Sequence, residues 1–484
     1  MTETRGRNDI GDILTIGFGT TVAMWTIGYL CRMPGSSVPN FMLFGLLIAF
    51  GVLGGAAAGR FSRRSWTVGL WTGLVTGFLN LLLVGSLISR EDAPGLIEGA
   101  AIWAPMSIVL MMVLTGVGAL IGRATRGTPH TGAPQCGACG ASLFQLANNC
   151  PSCNKPLDAA GIRRDGAGIE WPVWFAFVAV AATVLLIAAG GVVTGAQAGL
   201  DVPDWPNTFG RNMFLYPLAR MTGGIYFEHT HRLLGSLVGL TTIALAVYTW
   251  SRPRRPAVRE IAILAVLLVV AQGLLGALRV TGKFTLSEDA AQMAPQLSLA
   301  VVHGILAQLF LGVLVVLAIL MTRAWREAPA TAEATRDVAT NVPLSVIALA
   351  LLICQLAIGA VYRHYQVTWA LHLHLTIAVL LIAALIFNGI RAAAARQPLP
   401  ITRAFRLSGR WLNGLAGFQL LLGLGALVAV MLEKPGDPHA WHVAVTTAHQ
   451  TTGALLMAFT VAVLAWETRL TALRSRPAPD FAPA

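Results

Sequence analysis

Long apolar runs recur along the chain, and they constrain its fold more than any other feature. A helix needs about 20 predominantly apolar residues to cross a bilayer, and about twelve runs approach or exceed that length. Charged residues make up only 12% of the chain, against about 25% in an ordinary soluble domain. We therefore predict an all-α polytopic membrane protein with about twelve transmembrane helices. The predicted spans lie at about 13–31, 40–59, 66–88, 98–122, 171–197, 229–250, 258–278, 297–322, 342–362, 370–390, 410–432 and 442–466.

The positions of Lys and Arg predict how the chain is oriented. Cytoplasmic loops of membrane proteins carry an excess of these residues. With the N-terminus in the cytoplasm, the arginine-rich loops all fall on the cytoplasmic side and the opposite loops hold only scattered basic residues. We therefore expect both termini in the cytoplasm. The net charge of +12 then reflects topology, and nucleic acid is not an expected partner. The arginines of the predicted cytoplasmic loops and tail are Arg60, Arg63, Arg64, Arg252, Arg254, Arg255, Arg259, Arg391, Arg396, Arg403, Arg406, Arg410, Arg469, Arg474 and Arg476.

A polar stretch at about 123–169 carries four cysteines in two CxxC pairs. Cys136 and Cys139 form the first pair, and Cys150 and Cys153 form the second. Four thiolates at such spacing are typical of a tetrahedral zinc site. Disulfides are the alternative, but the predicted cytoplasmic location disfavours them. We predict a small cytoplasmic zinc ribbon whose metal is structural, because protein ligands fill all four positions.

The last eight spans contain an internal repeat with histidines at matching places. His231 aligns with His374 at an offset of 143 residues, and His303 aligns with His449 at an offset of 146. Each half therefore has four helices, with one such histidine on its second helix and one on its fourth, all within about the first two turns. Two histidines on neighbouring helices can ligate one haem iron from both faces. We predict two repeated four-helix bundles, each with a haem site.

A simpler interpretation is that each histidine only forms a hydrogen bond with a neighbouring helix. Ionisable groups inside a membrane are costly and usually functional, so four repeat-related histidines favour the haem sites.

The two halves differ beside the first histidine. Glu228 lies three residues before His231, hence on the same helix face, whereas Leu371 occupies that position in the second half. Arg232 follows His231 directly. A carboxylate beside only one haem suggests that one site does chemistry and the other carries electrons or supports the structure. Alternatively, Glu228 is a solvated residue at a helix N-terminus, and the spacing leaves both interpretations open.

Glu228-His-Thr-His231-Arg232 resembles the ExxHR motif of the haem A synthase family, and the resemblance extends over about residues 170–468. The first half carries the more specific motifs and the second half the looser ones. The further segments similar to this family are Gly190-Gly-Val-Val-Thr194, Gly199-Leu200, Pro203-Asp-Trp-Pro206, Gly-Ala-Leu-Arg279-Val-Thr and Ala300-Val-Val-His303-Gly.

The resemblance implies that the C8 methyl of haem O is oxidised to a formyl group, giving haem A for cytochrome oxidase. It implies that the substrate haem lies between His231 and His303, with Glu228 and Arg232 as catalytic residues. A haem b would lie between the other two histidines, His374 and His449. The expected partners are haem O, a haem O synthase, an electron donor and the lipid bilayer of the cell inner membrane, while the oligomeric state is left open. The alternative is a non-enzymatic dihaem membrane protein that transfers electrons.

Two features depart from the family pattern. Many bacterial members carry two cysteines in the first outer loop, where this chain has Val202 and Thr208. The first four helices and the ribbon lie outside the usual family core. The predicted domains are a four-helix membrane domain of unknown function at 1–124, the ribbon and a linker at 125–169, the first haem bundle at 170–325, and the second haem bundle with the tail at 326–484.

Overall fold

The structure, a computed structural model, describes residues 9–62, 64–88, 100–125, 135–136, 162–163, 169–252, 255–281, 297–326, 340–396, 399–432 and 439–474. Twelve helices in this part of the chain are long and apolar enough to cross a membrane, which confirms the all-α polytopic class. Helices suit this environment because every backbone polar group is satisfied within the segment. The helices are α1 Asp9–Cys31, α2 Asn40–Phe61, α3 Ser65–Ile88, α4 Ala100–Ala124, α5 Trp171–Gly195, α6 Gly223–Trp250, α7 Pro256–Thr281, α8 Leu297–Met321, α9 Val342–Tyr365, α10 Thr368–Ala393, α11 Pro400–Leu432 and α12 Ala440–Arg474.

Two helices begin well before the predicted positions, and one of these differences moves a candidate site. Helix α11 begins at Pro400 and not near 410, because its first turns are amphipathic and their arginines hide them from a search for apolar runs. Helix α6 begins at Gly223 and not near 229. His231 therefore lies in the third turn of α6, and His449 also lies in the third turn of α12. The expectation that all four histidines fall within the first two turns was wrong for these two.

The helices pack in three groups. Helices α1–α4, here called the N-terminal unit, pack on one another through small residues. A Cβ at Gly55 of α2 would overlap the Thr115 carbonyl of α4, so the two backbones touch. Helices α5–α8 form the first bundle and α9–α12 form the second, and the two bundles meet where α5 and α8 contact α12 and where α8 contacts α9. The N-terminal unit lies along the first bundle, where Phe18 of α1 packs on Phe175 of α5 with ring centroids 5.4 Å apart.

The two ends of the bundles differ in charge and chemistry. The histidine end is the end at which α6, α8, α10 and α12 begin. At the opposite end, Glu170 forms ion pairs with Arg323 (2.9 Å) and Arg326 (2.8 Å) of the short helical turn that follows α8. Also there, the fully buried Glu467 of α12 pairs with Arg391 of α10. These pairs fasten the helix ends of each bundle on the side away from the histidines.

Two short hairpins complete the described structure. Strands β1 (Gln135–Cys136) and β2 (Ile162–Arg163) pair antiparallel. Cys136 lies in β1, and the other three predicted zinc ligands fall between the two strands in the sequence. Cys139, Cys150 and Cys153 lie outside the described residues, so the zinc site stays a prediction. Strands β3 (Asn207–Thr208) and β4 (Arg211–Asn212) form the second hairpin, between α5 and α6.

Candidate haem sites

Each of the four predicted ligand histidines packs against a glycine of the preceding helix. The missing side chain lets the imidazole lie close to the backbone of its neighbour. A residue with a side chain would push against the ring in three of the four pairs, since a Cβ contact below about 3.4 Å is unusually tight. The pairs are Gly190 with His231 (3.0 Å), Gly276 with His303 (3.7 Å), Gly359 with His374 (2.9 Å) and Gly423 with His449 (3.2 Å), measured from an ideal Cβ on the glycine to Cε1 of the histidine.

The sequence indicates the role of these glycines only in part. Gly276 and Gly423 are 147 residues apart, close to the offset of 146 between their histidines. Gly190 and Gly359 are 169 residues apart, against 143 for their histidines, because the long connection 196–222 is present only in the first bundle. Spacing alone could therefore have found the second pair of glycines but not the first.

In the second bundle, the structure brings His374 and His449 together. Their ring centroids lie 6.3 Å apart, with the ring planes at 65°. Two imidazoles bound to one metal through bonds of about 2 Å would have their centroids about 6 Å apart. Nδ1 of His374 lies 3.2 Å from the Gln355 carbonyl, a contact that leaves Nε2 free. Histidine ligands of metals commonly donate their second nitrogen in this way, so this pair fits a haem iron.

Two glutamines support the second pair, each four residues before the glycine that contacts the ring. The Gln355 amide donates to the His374 carbonyl over 2.8 Å, in addition to the ring contact of its own backbone. The Gln419 amide nitrogen lies 3.2 Å from Nδ1 and 3.4 Å from Nε2 of His449. Both imidazoles are therefore oriented by a neighbouring helix, through a backbone carbonyl on one side and a side-chain amide on the other.

In the first bundle, the surroundings of His231 and His303 resemble those of the second pair only in part. The Gln272 amide donates to the His303 carbonyl over 3.0 Å, as Gln355 does to His374. The carbonyls of Leu186 and Gln272 approach the two rings but do not reach hydrogen-bond geometry. Among the described residues, Nδ1 of either histidine has no hydrogen-bond partner although both atoms are buried. The first pair is therefore held less tightly than the second.

Open space lies beside His231 on its own helix. Gly235 and Gly239 follow His231 by one and two turns and so share its face. A Cβ built on either glycine would meet no atom within 4 Å. The same holds at Gly304, next to His303. A histidine pair with open space along the neighbouring helix faces is compatible with a large flat ligand such as a haem.

The segment 196–222, here called the covering loop, folds over the first turns of α6 through a buried ion pair. Glu228 is only 4% exposed, so the interpretation of this residue as a solvated helix end was wrong. Its carboxylate accepts from the Val202 backbone N–H (2.8 Å) and pairs with Arg232 (2.6 Å). Arg232 also donates to the carbonyls of Val202 and Asp204, each over 2.6 Å. The pair thereby fastens the covering loop to α6.

His229 faces the covering loop and not the open space beside His231, as expected for residues two apart on a helix. It is fully buried, and its Nδ1 lies 3.0 Å from Oγ1 of Thr208. The Tyr216 ring packs on it with centroids 5.4 Å apart. Val202 and Thr208, the two departures from the family pattern, thus both contact α6, through Glu228 and His229 respectively. In this chain, polar contacts tie both positions to the helix.

Two arginines bring positive charge to the histidine end. The Arg279 guanidinium packs on Gly199 of the covering loop, where a Cβ would lie 2.6 Å from Nη2. Arg363 of α9 crosses between the bundles and donates to the Gly191 carbonyl (2.9 Å) and to Oε1 of Gln450 (3.2 Å). These contacts lie next to Gly190 of the first site and His449 of the second. Arg363 therefore connects the two candidate sites.

Residues 213–370 match the COX15-CtaA family, described as cytochrome oxidase assembly protein. The match begins in the covering loop and ends in the first turn of α10. It includes the ion pair of Glu228 and Arg232 together with both histidines of the first bundle. His374 and His449 lie beyond it.

Three curated relatives are similar over a limited stretch, and each is named heme A synthase. The protein of Shouchella clausii (strain KSM-K16) is 32% identical over 96 residues, or 19% of this chain and 31% of the relative. The protein of Lysinibacillus sphaericus (strain C3-41) is 32% identical over 111 residues, or 22% and 34%. The protein of Halalkalibacterium halodurans is 34% identical over 98 residues, or 19% and 31%. The chain spans about a third of the length of these relatives. The family match covers Glu228, His231 and His303, and each of the three relatives is similar to about a fifth of this chain.

Proposed function

We propose that this protein is a haem A synthase, which oxidises the C8 methyl of haem O to a formyl group and supplies haem A for cytochrome oxidase. The observation that carries the proposal is the combination of two features at one site. A histidine pair lies beside a glycine-lined space in the first bundle, and the family match covers that pair together with its buried Glu228–Arg232 ion pair.

The first bundle would bind the substrate haem between His231 and His303. The iron chemistry belongs to the haem, while the protein supplies ligation, orientation and exclusion of water. The space beside Gly235 and Gly239 would take the flat ring, and the covering loop would close the site. Arg279 supplies a positive charge at the same end, which suits the carboxylates that a haem carries.

Glu228 and Arg232 are the proposed catalytic residues. A carboxylate near the reacting carbon could stabilise developing positive charge or accept a proton. Both carboxylate oxygens of Glu228 already accept hydrogen bonds, one from Arg232 and one from the Val202 backbone. This arrangement favours a fixed charge held at a defined place over a carrier that must release its contacts to move a proton.

The second bundle would bind a haem b between His374 and His449 and pass electrons to or from the first. Arg363 supports this coupling because it contacts groups adjacent to both sites. An electron donor and a haem O synthase are the proposed protein partners. The placement in the cell inner membrane with cytoplasmic termini rests on the arginines of the opposite end, among them Arg323, Arg326 and Arg391.

We also propose that the chain divides into domains at 1–124, 125–169, 170–325 and 326–484. The second of these would bind one structural zinc ion through Cys136, Cys139, Cys150 and Cys153. Metal analysis of the purified full-length protein should give one zinc per chain. Replacing Cys150 and Cys153 together by Ser should remove the zinc and leave the haem content unchanged. A zinc-free wild-type protein would contradict the ribbon.

The extractable haem tests the proposed function. The chain would be expressed in cells that make haem O but lack their own haem A synthase, and the haems would be separated by chromatography. We expect haem A from the wild type and none from a His231→Ala variant made in parallel. If the purified protein holds haem b at both sites and the cells contain no haem A, the dihaem electron carrier is the correct function.

A further inference from the structure

The N-terminal unit contacts the covering loop at the histidine end, first through α3. Gly85 lies so close to the loop that a Cβ there would be 2.5 Å from the Phe214 carbonyl oxygen and 2.8 Å from Cδ2 of Leu215. The neighbouring Ser86 hydroxyl donates to the same carbonyl over 3.3 Å. The loop residues involved form a short 3₁₀ turn, Met213–Leu215. Only a glycine fits at position 85 without moving this turn.

The second contact comes from α1 and reaches the first turn of α6. The Tyr226 hydroxyl donates to the Tyr29 carbonyl over 2.6 Å, and the two rings stack with centroids 5.7 Å apart and planes at 19°. Tyr226 is 3% exposed and lies two residues before Glu228. It also packs with Tyr216 and Met221 of the covering loop. Helix α1 therefore contacts α6 close to its junction with the covering loop, and α6 is the helix that carries His231.

A short path of contacts leads from these two attachments to α6, next to the candidate site. Phe214, which contacts α3, is two residues from Tyr216, whose ring packs on His229. His229 in turn contacts Thr208 of strand β3. The part of the covering loop from Thr208 onward is therefore held from two sides: by α6 on the inside and by the N-terminal unit on the outside.

We propose that the N-terminal unit is a positioning domain for the first haem site, and that it sets how much of the time the covering loop is closed over the substrate. This inference rests on the proposed function, because it assumes that haem O binds beneath the loop. A substrate haem must enter and a product haem must leave, so the loop has to open in each cycle. Apparent affinity falls in proportion to the fraction of molecules in the binding-competent state. Contacts that hold the loop closed therefore strengthen haem O binding without touching the haem.

The test compares Gly85→Val with a matched control, Gly122→Val. Both add a side chain where α3 or α4 makes a tight contact, but Gly122 lies at the opposite end, against the Ala56 carbonyl within the N-terminal unit. The first readout is hydrogen exchange of residues 199–222, which needs no haem. The second is the KM for haem O. The absorption of the second-bundle haem serves as an internal reference.

We expect Gly85→Val to speed hydrogen exchange in the covering loop. We also expect the KM for haem O to rise roughly tenfold, which corresponds to a loop that is closed in about a tenth of the molecules. Its kcat should change much less, and the second haem should be unaffected. Gly122→Val should leave loop exchange and KM at wild-type values. Equal effects of both variants would mean that only the overall stability of the N-terminal unit matters, and no effect of Gly85→Val on exchange or KM would also overturn the inference.

Tyr226→Phe covers the case in which Gly85→Val does not fold. It removes only the hydroxyl that bonds to α1, and we expect the same pattern at about two- to tenfold, the worth of one hydrogen bond. A wild-type level of loop exchange in Tyr226→Phe would count against the inference. A wild-type protein that binds no haem O would refute the proposed function, while the exchange data would still decide whether the N-terminal unit holds the loop.

Discussion

The two bundles share their histidine–glycine contacts but differ in what covers them. In the first bundle, residues 196–222 connect the first two helices and fold over the site, whereas in the second only Gln366 and Val367 separate α9 from α10. Both bundles carry a histidine on their second and fourth helices at the same end. The repeat thus preserves the histidine–glycine contacts, and the covering loop distinguishes the first candidate site from the second.

The two bundles also differ in the charged residues beside their histidines. Glu228 and Arg232 form a buried ion pair at the first site, and their repeat counterparts are Leu371 and Leu375. A buried pair of this kind is costly to desolvate and is poor evidence of a stabilising role. Its presence beside the first site suits a bound molecule that reacts there, while leucines at the two matching positions suit a haem that is retained. Four substitutions within the repeat and one in the covering loop, each with a control or a second variant, test this comparison.

The largest expected effect is the loss of a whole haem. His374→Ala should remove the second-bundle haem almost completely, because no described side chain of the same chemistry replaces the missing ligand. The reduced absorption spectrum of the purified variant measures this. His372→Ala is the matched control, since this exposed histidine lies two residues earlier and on another face of α10. If His374→Ala keeps a wild-type haem b signal, the ligand assignment and the likeness of the two bundles both fail.

The sequence predicted where the repeated histidines lie better than it predicted their surroundings. His303 and His374 could be found because a repeated histidine in an apolar helix stands out, and the helices were found by hydropathy alone. The burial of Glu228 could not be predicted, because it depends on the Val202 N–H, a backbone group that the covering loop brings to α6. The early start of α11 was missed because amphipathic turns at a membrane edge resemble loops in composition.

The next largest effect concerns the ion pair. Glu228→Gln keeps the size of the side chain and removes its charge, and we expect haem A formation to fall on the order of 10²-fold while both haems stay bound. Extracted haems, separated by chromatography, give the measurement. Near-normal haem A would show that the carboxylate serves only to fasten the covering loop. Loss of both haems would make it a residue needed for folding.

A double-mutant cycle separates the charge from its partner. Arg232→Gln alone leaves Glu228 buried without its cation, which should cost about 3–5 kcal/mol of stability. The variant with both substitutions should be more stable than Arg232→Gln, because no uncompensated charge remains. If the two substitutions have additive effects on the free energy of unfolding, the two side chains are not coupled and their ion pair does not stabilise the first site.

A smaller effect should follow from filling the glycine contacts. Gly359→Ala places a Cβ 2.9 Å from the His374 ring, which must shift, and we expect about a tenfold weaker hold on the second-bundle haem, or about 1.4 kcal/mol. Gly276→Ala is the control, because its Cβ would lie 3.7 Å from His303, an ordinary contact. In both variants, the measurement is the fraction of haem that stays bound after dilution. Equal retention in the two variants would show that the glycines do not position the imidazoles.

The smallest effect should come from one hydroxyl of the covering loop. Thr208→Val keeps the shape of the side chain but leaves Nδ1 of the buried His229 without its hydrogen bond, at a cost of about 1–3 kcal/mol. Most of this cost should appear as faster hydrogen exchange in the loop. Haem A formation should fall only a few-fold, because Arg232 still binds two loop carbonyls and the N-terminal unit still holds the Phe214 turn.

Thr208→Ser retains the hydroxyl and should behave as the wild type. If Ser and Val behave alike, the hydroxyl does not fasten the loop, and the cover of the first site depends on the ion pair and the N-terminal unit alone. In either case the second haem should keep its spectrum, since the contacts of Thr208 lie in the first bundle.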